Sequence, residues 1–299
     1  MNRKFIYLIN PISGTKNKGP LINHIFSKTS ERNIPFEIID TKKDGDYSFL
    51  KEKIAAEQIT DVIICGGDGT INQVVKALLT VKVTIGIIPM GSGNGLALAA
   101  RISKNYRKAL EIIFNGKTSL VDGFYVNNQF SCMLSGLGFD AQVAHDFSLQ
   151  KSRGLFTYIK QSLKNFFNYK TYEFIIHING ERINTDAFFV SIANSNQFGN
   201  YITIAPQASL HDGLLDIIIV NKKNKVFTAF SLLQHIKLGK VKADISNQTK
   251  KKSITYLQST RLTIENLSLA PLHIDGEPYP TAANIEVKVI PSAFNLLQP

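Results

Sequence analysis

Gly66-Gly67-Asp68-Gly69-Thr70 is the densest chemical signal in the chain, with glycines and a carboxylate set between an apolar run and a stretch of helical periodicity. Glycines at such a turn let the backbone approach a phosphate and point N–H groups at it, and the start of a helix favours negative charge. Asp68 calls for different chemistry. A carboxylate beside polyphosphate repels it unless a divalent cation bridges the two or the carboxylate takes a substrate proton. The plain alternative is a tight turn with Asp68 as helix N-cap, but so many glycines exceed what capping needs. Pro89-Met90-Gly91-Ser92-Gly93-Asn94-Gly95 repeats the arrangement after the next apolar run, and Asn10-Pro11-Ile12-Ser13-Gly14 follows the first. Each of these two is weak alone, being rich in common turn dipeptides. Gly14-x4-Gly19 ends in Pro20 instead of Lys, so it is not a Walker A loop, and GxGxxG is absent from the first strand-to-helix turn. Late in the chain, Asp275-Gly276-Glu277 reads by default as a β-turn with an exposed glutamate.

The elements that must position these loops follow from periodicity. Apolar runs predict strands at 4–9, 35–40, 60–65 and 83–88, while Ile71, Val74, Val75, Leu78 and Leu79 recur as one helix face, and a further helix is expected from Leu96 to Arg101. Fully apolar strands alternating with helices imply a parallel sheet covered on both faces, a doubly wound α/β layer. All three glycine loops then fall at the carboxyl edge of that sheet, where open α/β folds bind ligands. Beyond residue 122 short strands dominate, at 129–134, 172–178, 186–193, 214–220 and 260–265, and Asn179-Gly180 marks a tight hairpin. The second half is expected to be a β-sandwich or distorted barrel with one or two helices.

At 299 residues the chain has the length of two domains. Hydrophobic residues at 44% and charged residues at 19% exclude a disordered or collagenous chain. No apolar run approaches the roughly 18 residues of a membrane span, and residues 1–14 read as a strand and not a signal peptide. Cys65 and Cys132 both sit in apolar runs, which fits buried thiols in a reducing cytoplasm. The net charge of +11 is concentrated: residues 151–172 hold five basic and no acidic residues, and 222–252 hold nine basic against one acidic. Such a surface fits nucleic acid, an anionic membrane or plain solvation. No zinc pattern, RNP-like strand or helix-turn-helix signal accompanies it, so nucleic acid is not expected.

NPxSG, GGDGT and PxGSGN, in this order, resemble the catalytic domain shared by diacylglycerol kinases, sphingosine kinases and the soluble bacterial lipid kinases. Gly136-Leu137-Gly138-Phe139-Asp140, His211-Asp212-Gly213-Leu214-Leu215-Asp216, Asp275-Gly276-Glu277 and the closing IEVKVIPSAFNLLQP extend the likeness over the whole chain. NAD kinases and phosphofructokinases also carry GGDGT, but not the NPxSG start or the later motifs. The resemblance implies an α/β ATP-binding domain at 1–122, a β-sandwich lipid-substrate domain at 123–285, and a strand and tail at 286–299 returning to the first. It implies ATP held by Asn10, Pro11, Ile12, Ser13, Gly14, Thr41, Gly66, Gly67, Asp68, Gly69, Thr70, Ile71, Asn72 and Ser92. Asp68 would organise a catalytic Mg²⁺ or act as base, and Glu277 would be the proton acceptor. A second, structural Mg²⁺ would sit on Asp212 and the carbonyls of Ser209 and Leu214, a donor set suited to a hard cation that keeps several waters. His211 stands where the family carries another acid. Gly95 replaces the Asp that usually follows the Asn of this loop in diacylglycerol kinases, which brings the loop closer to the sphingosine-kinase version.

The expected activity is ATP-dependent phosphorylation of a diacylglycerol-like or sphingoid-like lipid by a cytoplasmic, peripheral enzyme. The competing classes are a nucleotide- and lipid-binding regulatory protein with little or no kinase activity, and a soluble-substrate kinase of NAD kinase type. Residues 155–167 place Leu155, Ile159, Leu163 and Phe166 or Phe167 at helical spacing with Lys160 and Lys164 alongside. That pattern fits a helix lying on an anionic membrane or packing on the sandwich. Monomer and homodimer both stay open.

Overall fold

The computed structural model describes residues 3–14, 17–150, 170–199, 202–221 and 254–299. The chain divides into two compact units, Met1–Val121 with Ser292–Pro299, and Asp122–Pro291.

The first unit is built on parallel strands β1 (Phe5–Ile9), β2 (Phe36–Asp40), β3 (Asp61–Gly66) and β4 (Thr84–Pro89). Their order is β4-β3-β1-β2, and their ends are in register, with Ile9 opposite both Asp40 and Cys65, and Gly66 opposite Pro89. Helices α1 (Gly19–Ser30), α2 (Phe49–Glu57), α3 (Asp68–Leu78), α4 (Gly95–Ala99) and α5 (Tyr106–Asn115) fill the connections. Every residue of β1 and β3 is buried, the signature of a sheet covered on both faces. On α3 the buried set is Thr70, Ile71, Val74, Val75 and Leu78. The short α4 ends before the expected Arg101, which adopts φ 59° and so stops the helix.

The second unit holds β5 (Lys117–Val126) from Asp122 onward, β6 (Gln129–Ser131), β7 (Leu134–Gly138), α6 (Phe139–Ser148), β8 (Tyr172–Ile178), β9 (Glu181–Ala193), β10 (Gln197–Gly199), β11 (Ile202–Thr203), β12 (Leu215–Asn221), β13 (Ile254–Ser259), β14 (Arg261–Asn266), β15 (Leu272–Ile274) and β16 (Glu277–Tyr279). The long β9 serves two layers. Its first half pairs with β8, its second half with β7 and β12, all antiparallel. Phe174, Ile176, Leu262 and Ile264 from one layer and Leu137, Val190, Ile192, Ile217, Ile219 and Leu272 from the other form one buried core, the filling of a sandwich. Asn179 and Gly180 take φ 53° and 82° between the paired Ile178 and Glu181, the two-residue hairpin their types predict.

The expected strand at 129–134 is broken into β6 and β7. The N–H groups of Cys132, Met133 and Leu134 are diverted from a ladder to the carboxylate of Asp275. The last strand, β17 (Asn284–Gln298), serves both units: Asn284 to Lys288 pair with β14, and Asn295 and Leu296 pair with β4.

Candidate active site

Four strand ends of the first unit carry one group of candidate residues. Thr41 follows β2, where its N–H donates to the Ile9 carbonyl at 2.9 Å and its side chain bonds to Tyr47. Asn10 follows β1, and its side chain donates to Thr70 Oγ1 at 2.9 Å while its Oδ1 accepts from the Ile12 N–H at 3.0 Å. The first glycine loop is thereby tied to the second. Gly14 has φ 64°, and a Cβ there would come 2.6 Å from the Met90 carbonyl oxygen, so the first loop also meets the third. The second and third meet each other: a Cβ on Gly67 would lie 3.1 Å from Gly91 Cα, and one on Gly91 only 2.6 Å from Gly67 Cα. Three loops that share no sequence neighbourhood thus form one interlocked backbone surface at the carboxyl edge of the sheet.

Gly67, not Asp68, is the N-cap of α3, so Asp68 occupies the first helical position and is half-buried. Gly69 and Thr70 follow in that first turn, where a helix start offers N–H groups to an anion, whereas the Ile71 N–H is already donated to the Gly67 carbonyl at 3.0 Å and Asn72 lies one residue further along α3. Ser92 is exposed at the tip of the third loop, which Asn94 closes. The Asn94 amide accepts from the Gly91 N–H and donates to the Gly91 carbonyl, both at 2.7 Å, from a left-handed backbone with φ 56°. Lys18 curls back to donate to the Ser13 carbonyl, and burial pulls its pKa down. Neither Asn94 nor Lys18 emerged as a site residue from sequence. Asn94 was visible only as part of a turn, and Lys18 as one of two lysines beside Gly19. The surface fits a polyphosphate, because side chains are absent where the loops touch and N–H groups are plentiful. Cys65 lies beneath it, fully buried, and burial pushes its thiol pKa far up, which makes it an inert core group.

The second unit carries Glu277. Asp275 and Gly276 take φ 48° and 81° between the paired Ile274 and Glu277, a two-residue hairpin loop that leaves Glu277 exposed. The Asp275 carboxylate does not face solvent. It accepts from Ser131 Oγ at 2.6 Å and from the N–H groups of Cys132, Met133 and Leu134 at 3.0–3.2 Å. Beside the turn, buried His273 reaches Asp140 Oδ2 at 3.3 Å and the Gly276 N–H at 3.3 Å.

Ser209, Asp212 and Leu214 lie in one loop. There the exposed Asp212 accepts from the Leu214 N–H at 3.0 Å, and the Gly213 N–H donates to Asp122 at 2.7 Å. One carboxylate and two carbonyls form a sparse donor set. Among the described residues no group of three or more His, Cys, Asp or Glu side chains is placed to hold a metal ion. Asp216, two residues beyond the loop, points away from the sandwich core, accepts from Tyr256 and Gln258, and has its pKa pushed up to about 6 by burial.

Residues 4–126 match the diacylglycerol kinase catalytic domain, and residues 134–298 match the YegS C-terminal NAD kinase beta sandwich-like domain. A YegS-like lipid kinase of Shewanella frigidimarina (strain NCIMB 400) is 30% identical over 258 residues, which cover 84% of this chain and 80% of the relative. The chain belongs to this lipid kinase family. A diacylglycerol kinase of Staphylococcus aureus (strain bovine RF122 / ET3-1) is 26% identical over 281 residues, covering 93% of this lipid kinase and 87% of its relative. A crystal structure of a diacylglycerol kinase from Bacillus anthracis str. Sterne aligns with a TM-score of 0.72 at 19% identity, covering 99% and 97% of the two chains, which shows a shared fold. Among the described residues of the kinase no helix is long and apolar enough to cross a membrane. The lysine-bearing segment 155–167 and the basic stretch 222–252 lie outside the described residues.

Proposed function

We propose that this lipid kinase transfers the γ-phosphoryl group of ATP to a hydroxyl of a diacylglycerol-like or sphingoid-like lipid at an anionic membrane surface on the cytoplasmic side. The observation that carries the reading is the interlocking of the three glycine loops, whose backbones approach too closely for a Cβ at Gly14, Gly67 or Gly91. Asn10 to Gly14, Thr41, Gly66 to Asn72 and Ser92 hold the nucleotide. Asp68 would hold Mg²⁺, which would supply charge neutralisation to the transferred phosphoryl group. Asp212 with the Ser209 and Leu214 carbonyls would hold a second Mg²⁺, most of whose ligands would be water.

In the reaction the lipid hydroxyl oxygen forms a bond to the γ-phosphorus, the bond from that phosphorus to the β–γ bridging oxygen breaks, and ADP leaves. The hydroxyl proton goes to the Glu277 carboxylate. An exposed carboxylate on a rigid turn can meet a lipid hydroxyl, whereas Asp275 is committed to backbone N–H groups and has no such freedom. Gly95 leaves the third loop without a carboxylate beside Asn94, and both acceptor classes stay open.

The test is transfer of label from γ-labelled ATP to a panel of diacylglycerol, monoacylglycerol and sphingoid bases in anionic vesicles. Label in a lipid product supports the reading and names the acceptor. ATP binding with no label in any lipid would overturn it in favour of a regulatory role.

A further inference from the structure

We propose that His273, backed by Asp140, is a positioning residue that fixes the direction of Glu277. The inference rests on Glu277 as proton acceptor, and it concerns side chains that no motif reading pairs, since Asp140 and His273 come from opposite ends of the second unit.

In a two-residue hairpin loop the strand ladder uses the groups of the flanking pair, here Ile274 and Glu277. The N–H of the second loop residue is left over. In this hairpin it is the Gly276 N–H, and His273 Nδ1 accepts it at 3.3 Å. With Nδ1 acting as acceptor, the neutral ring carries its hydrogen on Nε2 and donates it to Asp140 Oδ2, also at 3.3 Å. His273 is fully buried and Asp140 nearly so. Asp140 is itself anchored, accepting from the Ala141 N–H at 2.8 Å at the start of α6.

Space has been kept for the pair. A Cβ on Gly136 would overlap the Asp140 carboxylate and stand 2.7 Å from His273 Nε2, so any other residue at 136 would expel one partner. Gly136, Asp140, His273 and Gly276 therefore form a single line that ends at the residue bonded to Glu277. On the other side of the turn the Asp275 carboxylate grips the backbone of 132–134. Held from both sides, the turn has one orientation, and a base must sit within hydrogen-bond reach of its proton to act. Both His273 contacts are at the long end of the hydrogen-bond range. The expected effect is accordingly moderate, about tenfold in turnover.

The experiment is a cycle of His273→Leu and Glu277→Gln, singly and together, with kcat, the KM for ATP, the KM for lipid and the thermal midpoint measured on each protein. His273→Leu is expected to lower kcat about tenfold with both KM values within about twofold. In the Glu277→Gln background the same change should lower kcat by less than about twofold, because aiming a group that accepts no proton has no effect. His273→Asn places an amide oxygen near the Nδ1 position, and should recover kcat to within about threefold of the parent. A tenfold loss in both backgrounds would overturn the proposal and leave His273 a packing residue. So would no loss in either. Near-parental turnover of Glu277→Gln alone would instead overturn the assignment of Glu277 and the proposal with it. If His273→Leu does not fold, His273→Phe keeps a planar ring in the buried position, has no acceptor for the Gly276 N–H, and carries the same comparison.

Discussion

Gly91→Ala is the sharpest test of the phosphate surface. The added Cβ would stand 2.6 Å from Gly67 Cα and 3.0 Å from Asn94 Oδ1. Carbon atoms pack at about 3.5–4.0 Å, so the two loops must part by roughly 1 Å, and no flexible side chain is there to absorb the shift. Gly67 has φ −97° and ψ −178°, a conformation open to any residue, so the need for glycine comes from the neighbouring loop alone. Overpacking of this kind costs about 1–3 kcal/mol, and a displacement near 1 Å in groups that orient a reactant lowers the rate about a hundredfold. We expect Gly91→Ala to fold with a thermal midpoint lowered by several degrees and a kcat/KM for ATP reduced about a hundredfold. Gly67→Ala, with its 3.1 Å approach, should fall between it and the parent. Gly180→Ala is the control: at φ 82° with nothing within 4 Å, it strains the backbone by about 1–2 kcal/mol and should leave ATP kinetics unchanged. Initial rates over ATP concentration, with thermal unfolding on the same samples, decide the matter. A folded Gly91→Ala enzyme with parental kcat/KM for ATP would show that the loop contact does not shape the nucleotide site.

Asp68→Asn should retain the fold and lose phosphoryl transfer at least a hundredfold, because an amide neither balances Mg²⁺ nor takes a proton; near-normal turnover with an unchanged melting curve would remove Asp68 from the site. Glu277→Gln should lower kcat about a hundredfold with ATP affinity little changed, and a collapse of ATP affinity with surviving turnover would make Glu277 a nucleotide ligand instead. Burial raises Asp216 from an ordinary 3.8 to about 6, so the folded protein keeps a proton that the unfolded chain releases. The associated stability is whole below about pH 4 and is lost as pH rises to about 6, by a ceiling on the order of 3 kcal/mol. Asp216→Asn should therefore gain on the parent in thermal midpoint across that window, and parallel stability profiles for the two proteins would refute it. Replacing Lys151, Arg153, Lys160 and Lys164 by Gln should weaken binding to anionic vesicles while sparing activity on a dispersed short-chain lipid, and co-sedimentation indifferent to anionic lipid would exclude that surface.

The strands of the first unit were legible because burial on both faces demands unbroken apolar runs, and such runs as Asp61–Gly66 admit few other structures. Asn179-Gly180 was legible for a different reason, since a type I′ turn asks for those residue types locally. Where a side chain from a distant strand intervenes, the sequence is silent. The run at 129–134 has strand character throughout, and only Asp275, more than a hundred residues away, explains its break. The same limit applies to the site. GGDGT shows its chemistry on its face, but Gly136 looks like any strand glycine until Asp140 and His273 fill the space it leaves. Asn94 likewise reads as a turn residue until both ends of its amide are found on Gly91.

The end of β17 bears on how the chain is made. Leu296 and Asn295 cover one side of β4, whose other side lies on β3. During synthesis β4 emerges long before residues 292–299, so for most of translation its buried, apolar edge is open to pairing with any extended chain nearby. The first unit thus cannot close when residue 121 has been made, and waits on residues 292–299. A ribosome-stalled or truncated chain ending near residue 121 would expose that edge, and should be held by chaperones or aggregate where the complete chain does not.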